Sequence, residues 1–308
     1  MSTPLVTVLM PAYNARRHVK RAVASVLAQT MRDLELLVYD DASTDGTREI
    51  LRDFARRDQR VRLVEADKTG YSKLLARGVG EARGIYVARM DADDVSLPRR
   101  LALQIKALEA DPRLGIVGGQ ALRVDAGGWP IRPWNVPTDH DEIDQLHMAG
   151  IAGQMIHPAT TFRTEVLREL GYDPELEPAE DFDLWLRGAE VCRLGNVPEQ
   201  VLRYRWHGGN VSTLRSRQGT EAVRRALENA SQRRGVAVPS VSVAAPGTQT
   251  QWEAELVRQA FHHRHPLTAL KHLVPLAART PSDSQARDLF VGIGRRLLGA
   301  APRPVREA

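Results

Sequence analysis

Ile85-Tyr86-Val87-Ala88-Arg89-Met90-Asp91-Ala92-Asp93-Asp94 is an apolar run that ends abruptly in carboxylates, the pattern of a buried strand delivering acids to a sheet edge. Extended, the segment would put Asp91 and Asp93 on one side and Ala92 on the other. Two hard oxygen ligands on one side suit Mg²⁺ or Mn²⁺, with phosphate oxygens and water completing the shell. A nucleotide-diphosphate chemistry is the matching expectation. The same acids also suit a helix start around Ser96-Leu97-Pro98, where Asp, Ser and an early Pro are favoured. On this segment alone, metal site and helix cap stand level.

Outward from this strand, short β-type runs alternate with helical patterns through residue 124. Leu5–Met10 leads to a helix with the apolar face Val19, Ala22, Val23, Val26 and Leu27, for which Asn14 is the expected N-cap. Leu34–Tyr39 is a strand, and Ile50, Leu51 and Phe54 mark the inner face of the next helix. Val61–Val64, a helix around Ser72–Ala82, the Ile85–Met90 strand, a helix over Leu101–Leu108 and Leu114–Val117 continue the order. Such βαβ alternation predicts an α/β fold with a mostly parallel central sheet flanked by helices, whose ligands bind beyond the carboxyl ends of the strands. Pro11–Asn14, Asp40–Asp45 and Asp91–Asp94 all sit at such ends. From 125 to 160 the chain is rich in Gly, Pro, Trp and His and reads as loops that shape a site. Helical character returns over Thr164–Leu170 and Glu180–Val191, followed by a strand over Val201–Trp206. Beyond 212 come helices interrupted by a Pro/Gly/Ser-rich break at Val238–Gln249. The expected division is an α/β part over 1–213 and a helical extension over 214–308.

With 308 residues the chain can bury a large core. Its single cysteine, Cys192, excludes an intrachain disulfide framework and, set in an apolar helix pattern, reads as buried filler. Leu5–Met10 follows the N-terminus without a charged n-region or cleavage site, and no apolar stretch is long enough to cross a bilayer, so the expected location is cytoplasmic. The charge is uneven: 17 Lys/Arg against 7 Asp/Glu over 203–308, net +10, and 26 against 31 over 1–202, net −5. A basic tail suits nucleic acid, anionic lipid or a phosphate-bearing acceptor, but no zinc-finger spacing, RNP-like pattern or helix-turn-helix supports nucleic acid.

Several motif-like stretches carry no chemistry. Asp41-Ala42-Ser43-Thr44-Asp45-Gly46 resembles an EF-hand start, but Arg52 stands where a bidentate Glu is needed. Gly78-Val79-Gly80 precedes a strand rather than following one, the wrong order for a dinucleotide fingerprint. His262-His263-Arg264-His265 reads as a basic helix end, since adjacent histidines on a helix diverge.

Taken together, Pro11-Ala12-Tyr13-Asn14, Asp40-Asp41-Ala42-Ser43-Thr44-Asp45-Gly46-Thr47, Ala88-Arg89-Met90-Asp91-Ala92-Asp93-Asp94 and Glu180-Asp181-Phe182-Asp183-Leu184-Trp185 resemble, in order and spacing, the family 2 glycosyltransferases. The resemblance runs from about residue 5 to 213 and ends in Tyr204-Arg205-Trp206-His207 and Asn210-Val211-Ser212. It implies a GT-A fold, a nucleotide-sugar donor (a UDP-sugar foremost), a divalent cation (Mn²⁺ or Mg²⁺) and inversion at the anomeric carbon. A role in bacterial polysaccharide, glycolipid or other glycoconjugate synthesis is implied with it. Carried over by position, Tyr13 would stack on the donor base, Asp41 would accept from it, and Pro11 and Ala12 would wall the pocket. An aromatic face and a carboxylate at adjacent strand ends do suit a planar base. Asp93 matches the metal-binding carboxylate and Asp91 its ribose- or metal-contacting partner. Asp181 matches the catalytic base and Glu180 a contact to acceptor or sugar. Lys73 and Arg89 join the implied substrate-binding set, Arg205 matches a residue that closes over the diphosphate, and His207 a further residue there and a metal ligand.

One position departs from the pattern: the family usually has Asn where this chain has Ala76, which implies an altered donor contact. A non-enzymatic nucleotide-sugar binder and a metal-dependent nucleotidyltransferase are the other readings. The second lacks a Gly-rich basic loop after the first strand. At the C-terminus, Leu289, Phe290, Ile293, Leu297 and Leu298 recur at helical spacing beside Arg287, Arg295 and Arg296. That pattern could lie on the inner face of the plasma membrane and serve a lipid-linked acceptor. Packing onto the catalytic domain, or onto a second copy in a homo-oligomer, is the favoured reading.

Overall fold

The computed structural model describes residues 3–206, 216–239 and 249–279, together with 289, 291 and 293. Its centre is one nine-stranded sheet in the order β3 (Val61–Ala66), β2 (Leu34–Asp41), β1 (Val6–Ala12), β4 (Tyr86–Arg89), β8 (Thr161–Arg163), β6 (Leu114–Val124), β9 (Arg193–Arg205) and β5 (Val95–Ser96), with β7 (Pro130–Trp134) paired to β6. The first half is parallel: β1 (Val6–Ala12) lies between β2 (Leu34–Asp41) and β4 (Tyr86–Arg89), and β3 (Val61–Ala66) pairs with β2. α1 (Val19–Leu27), α2 (Thr47–Arg57) and α3 (Tyr71–Glu81) are the crossovers. β1 and β2 are buried at every position because both faces are covered. Val8 and Met10 belong to one core layer with Val23 and Leu101, while Leu9 faces Tyr39, Leu74 and Leu75 in the other.

The second half is mixed. β5 (Val95–Ser96), α4 (Arg100–Ala110) and β6 (Leu114–Val124) come first, then β7 (Pro130–Trp134), α5 (His140–Met148), β8 (Thr161–Arg163), α6 (Thr164–Leu170), α7 (Glu180–Val191) and β9 (Arg193–Arg205). β8 runs antiparallel between β4 and β6, and β6 runs parallel to β9. Buried Arg100 stitches this junction, its Nη2 donating to the Arg89 and Thr160 carbonyls at 2.7 and 3.0 Å. Trp185 of α7 stacks on Phe162 of β8 with centroids 5.7 Å apart, which seats the start of α7 over the same junction.

Four expectations need correction. Asn14 does not cap α1, whose N-cap is His18; it adopts φ 47° and its Oδ1 accepts from the Thr44 N–H at 2.9 Å. Residues 125–160 are not all loop, because β7 and α5 lie there, the latter capped by Asp139 accepting from the Asp141 and Glu142 N–H groups. β9 begins at Arg193 rather than Val201. Cys192 lies just past α7, half-buried against Gly115, where a Cβ would meet its own Cβ at 2.7 Å.

Among the described residues, helices α8 (Ser216–Arg234), α9 (Gln249–His262) and α10 (Pro266–Arg279) follow. α8 buries Ala222, Ala226, Leu227 and Ala230 against Phe182 and Leu186 of α7. α9 and α10 bury Leu256, Val257, Ala260, Ala269 and Leu273 around Ile131 of β7, and Leu289 and Ile293 pack into the same cluster. Those two residues therefore face the protein. Phe290, Leu297, Leu298, Arg287, Arg295 and Arg296 lie outside the described residues. Among the described residues no helix is long and apolar enough to cross a membrane.

Candidate active site

The carboxyl ends of β1, β2 and β4 meet, as the alternation predicts. Register puts Ala12 beside Asp40, so the β1 and β2 ends project side by side. Pro11 and Ala12 are buried in the strand end, whereas the Tyr13 ring just beyond is 51% exposed. Asp41 closes β2 with Oδ1 accepting from the Thr69 and Gly70 N–H groups at 2.6 and 3.3 Å, and Oδ2 from Lys68 Nζ at 2.8 Å. Burial opposes its charge, but Lys68 and the two amides prevail and hold the carboxyl below its ordinary range. Lys68 Nζ also sits 3.1 Å from the Tyr13 ring centroid. A half-exposed aromatic ring and a pinned carboxylate thus share one cation. Lys73 is exposed on α3, and Ala76 is half-buried against the core layer of Leu74 and Leu75.

The acidic segment is a turn. β4 ends at Arg89, and residues 91–94 leave the extended conformation, so simple alternation does not apply. Carboxylate oxygens of Asp91, Asp93 and Asp94 lie within 4.8 Å of one another. Asp94, which alternation would have turned away, is included because the Arg205 N–H donates to its Oδ1 at 2.7 Å from the end of β9. Its Oδ2 is buried with no hydrogen-bond partner among the described residues. Burial, then Asp93 and Asp91, push the Asp94 carboxyl well up; burial likewise raises Asp91, against the pull of Arg89 at 2.7 Å. Crowded carboxylates with an orphaned buried oxygen fit a hard divalent cation. Asp91, Asp93 and Asp94 are the residues that would hold one.

Opposite the turn stands the start of α7. Asp181 uses Oδ1 to accept the Phe182 N–H at 2.7 Å, leaving Oδ2 facing His157 Nδ1 at 3.9 Å. His157 is held by Tyr172, its Nε2 lying 2.8 Å from the hydroxyl. Burial, then Arg89, push the His157 pKa well down, so the ring is neutral. Burial raises the Asp181 carboxyl and lifts that of Glu180 to about 8, the latter also repelled by Asp181. Glu180 Oε2 is buried and unpartnered among the described residues. Arg89 connects the two acidic groups: paired with Asp91, it also stabilises the charged forms of Glu180 and Asp181. Asp91 and Asp181 are near enough to repel.

Arg205 is almost fully buried and turned into the protein. Its Nε donates to the Asp93 carbonyl at 2.7 Å and its Nη1 to the Asp125 and Ala126 carbonyls at 3.0 and 2.9 Å. Its contacts therefore brace the acidic turn from behind. His207 and Asn210–Ser212 lie outside the described residues. The sequence reading missed Lys68, Asp94, His157 and Tyr172, because each joins the site through partners far away along the chain. The one local cue was the third acid of the 91–94 cluster.

The family model described as Glycosyl transferase family 2 matches residues 7–171. A Haemophilus influenzae protein named an uncharacterized glycosyltransferase is 30% identical over 244 residues, covering 72% of this chain and 72% of the relative. The O-antigen biosynthesis glycosyltransferase WbnJ of Escherichia coli is 31% identical over 220 residues, covering 69% of this chain and 83% of the relative. Among solved structures, the mannosyltransferase PcManGT from Pyrobaculum calidifontis, in complex with GDP-Man and Mn²⁺, superposes with a TM-score of 0.57 at 23% identity, over 96% of this chain and 81% of that one. S. aureus TarS 1-349, in complex with UDP-GlcNAc, gives 0.54 at 15% identity over 97% and 93%. At such identities the likeness is one of fold. The family match covers more than half of the chain, and the strand ends that it spans converge on one site: the chain belongs to glycosyltransferase family 2, nucleotide-sugar enzymes of the GT-A type.

Proposed function

We propose that this chain transfers a sugar from a nucleotide-diphosphate sugar to an acceptor hydroxyl with inversion, and that Asp181 is its general base. The observation that carries the reading is Arg89, one buried cation acting on both the Asp91–Asp94 turn and the Glu180–Asp181 helix start. That shared cation supports a diphosphate site and a base lying side by side. Tyr13 offers its half-exposed ring to the donor base and Asp41 accepts from the base edge, with Lys68 moving aside from both. Asp93, with Asp91 and Asp94, would hold Mn²⁺ or Mg²⁺, which when bound stabilises negative charge on the leaving diphosphate. Asp181 Oδ2 takes the acceptor hydroxyl proton as that oxygen bonds to the anomeric carbon and the nucleoside diphosphate departs from the opposite face. One displacement inverts the centre, so no second nucleophilic carboxylate is required. Neutral His157, backed by Tyr172, stands 3.9 Å from Oδ2 and leaves its charge in place.

UDP-sugars are the first donors to test and GDP-sugars the next, since structural relatives are complexed with UDP-GlcNAc and with GDP-Man. The O-antigen name of one relative supports a glycan or glycolipid acceptor in polysaccharide synthesis. The deciding experiment incubates the protein with UDP-, GDP- and dTDP-sugars, with and without Mn²⁺ or Mg²⁺, and follows nucleoside diphosphate release. Metal-dependent release is expected from one donor class. Asp93→Ala should abolish metal-dependent donor binding, and Asp41→Ala should also weaken binding of the free nucleotide. Donor binding without turnover under any of these conditions would favour a non-enzymatic binder. Pyrophosphate as product would point to a nucleotidyltransferase.

A further inference from the structure

The β6–β7 turn, residues 125–129, stands between the acidic turn and α10. Asp125 is fully buried there, and its Oδ1 accepts the Gly127 and Trp129 N–H groups, each at 2.8 Å. Its Oδ2 faces α10 instead: Lys271 Nζ lies at 2.6 Å and His272 Nε2 at 2.8 Å. Gly127 leaves room for this approach, since a Cβ there would sit 2.9 Å from Lys271 Nζ. Burial works against charge on Asp125, yet His272, Lys271 and the Trp129 amide outweigh it and hold the carboxyl well below its usual range. On its other side the same turn grips Arg205 through the Asp125 and Ala126 carbonyls, and Arg205 grips Asp93 and Asp94.

We propose that α10 is a positioning arm of the metal carboxylates: Lys271 and His272 fix Asp125, whose turn fixes Arg205, which sets the orientation of Asp93 and Asp94. The inference rests on the reading of the acidic turn as a divalent-cation site, and it assigns that site a support outside the 7–171 family match. A metal site loses affinity when its ligands are free to turn, because binding must then order them, and partners behind the ligands are what prevent it. Every link in this chain is a charge-assisted or backbone hydrogen bond of 2.6–3.0 Å. The apolar face of α10 already attaches the helix to the body through Ala269 and Leu273 around Ile131, while Leu276 packs against Ala254 of α9. The ion pairs are therefore separable from docking.

The test compares wild type with the double variant Lys271→Met/His272→Gln in the full-length chain. Mn²⁺ alone is titrated and followed by loss of the free-ion paramagnetic resonance signal, while binding of metal-free UDP or GDP at the Tyr13–Asp41 end reports an intact fold. The expected result is an Mn²⁺ dissociation constant raised about tenfold, with metal-free nucleotide binding unchanged. Lys271→Met alone leaves His272 on the same oxygen and should give a smaller shift in the same direction, which keeps the test open if the double variant misfolds. Lys271→Arg should restore wild-type affinity. Unchanged Mn²⁺ affinity in both Met-bearing variants, beside a wild type that binds the ion, overturns the arm alone. A wild type that binds no Mn²⁺ overturns the metal reading and the arm with it.

Discussion

Asp181 and Glu180 are neighbours in sequence whose surroundings differ. Asp181 has one oxygen tied to the Phe182 N–H and the other turned toward His157, so it keeps a free basic lone pair. Asp181→Asn preserves shape and removes basicity: donor binding should survive while transfer falls by about 10²-fold or more. Near-normal transfer would remove Asp181 from this role. Because burial raises its carboxyl, the acid limb of kcat/KM should lie above the ordinary aspartate range of about 4 and vanish from the residual rate of the Asn variant. Glu180 is more deeply buried, with a folded pKa of about 8 against about 4.3 in an unfolded chain. Between those values the folded state keeps a proton that the unfolded state has released, so stability is greatest below about pH 4 and is lost as pH rises toward 8. Glu180→Gln removes that dependence. Metal-free protein melted at pH 5 and pH 8 should show the variant ahead of wild type by more than about 1 kcal/mol at pH 8 and by less at pH 5. A constant difference across the two would mean that Glu180 is already ionised in the fold.

At the scale of elements, α3 contrasts two glycines two positions apart. A Cβ on Gly78 would lie 2.9 Å from Leu9 Cδ2, closer still to Cδ1, and 3.1 Å from Tyr39 Cε2, on the fully buried strands β1 and β2. Leu9 is fully enclosed and has nowhere to retreat. Gly78→Ala should therefore cost about 1–3 kcal/mol. Gly80 has nothing within 4 Å of a built Cβ, so Gly80→Ala should stabilise by about 0.5–1 kcal/mol through helix propensity alone. Chemical denaturation of the two variants checks the pair, and equal effects would mean that α3 does not sit on β1 and β2 as described. The same distinction between local and distant causes explains what the sequence disclosed. β1, β2 and the α6 and α7 boundaries were legible because their signals are local: unbroken apolar runs, 3.6-residue periodicity and acids at helix starts. α5 also carried a local cue, Asp139 before Asp141 and Glu142, but nearby Gly, Pro and Trp obscured it. The shape of the acidic turn was not legible, because Arg205 draws Asp94 inward from 111 residues away. Lys68 against Asp41 and Tyr172 behind His157 likewise exist only once the chain has folded.

For the molecule as a whole, the question is whether the basic C-terminal third completes the catalytic body or serves a membrane. Two apolar sets compete for that role. Leu289 and Ile293, which the helical spacing offered to a bilayer, are packed with Ile131 of β7 and with α9 and α10, Ile293 being only 4% exposed. Leu267, Leu270 and Val274 instead form an outward stripe on α10, with Leu267 66% exposed. If the extension completes the body, the inner set contributes stability in plain buffer and the outer set does not. Ile293→Ala should then cost about 2–4 kcal/mol without any lipid, whereas Leu267→Ala should stay within about 0.5 kcal/mol. Flotation with anionic vesicles at low salt supplies the complementary reading, since exposed basic charge acts on a bilayer only where salt does not screen it. An unchanged melting temperature for Ile293→Ala in buffer, joined to loss of salt-sensitive flotation, would transfer these residues to the membrane. A melting temperature that falls in buffer, with flotation no different from wild type, makes α9, α10, Leu289 and Ile293 a structural part of the transferase.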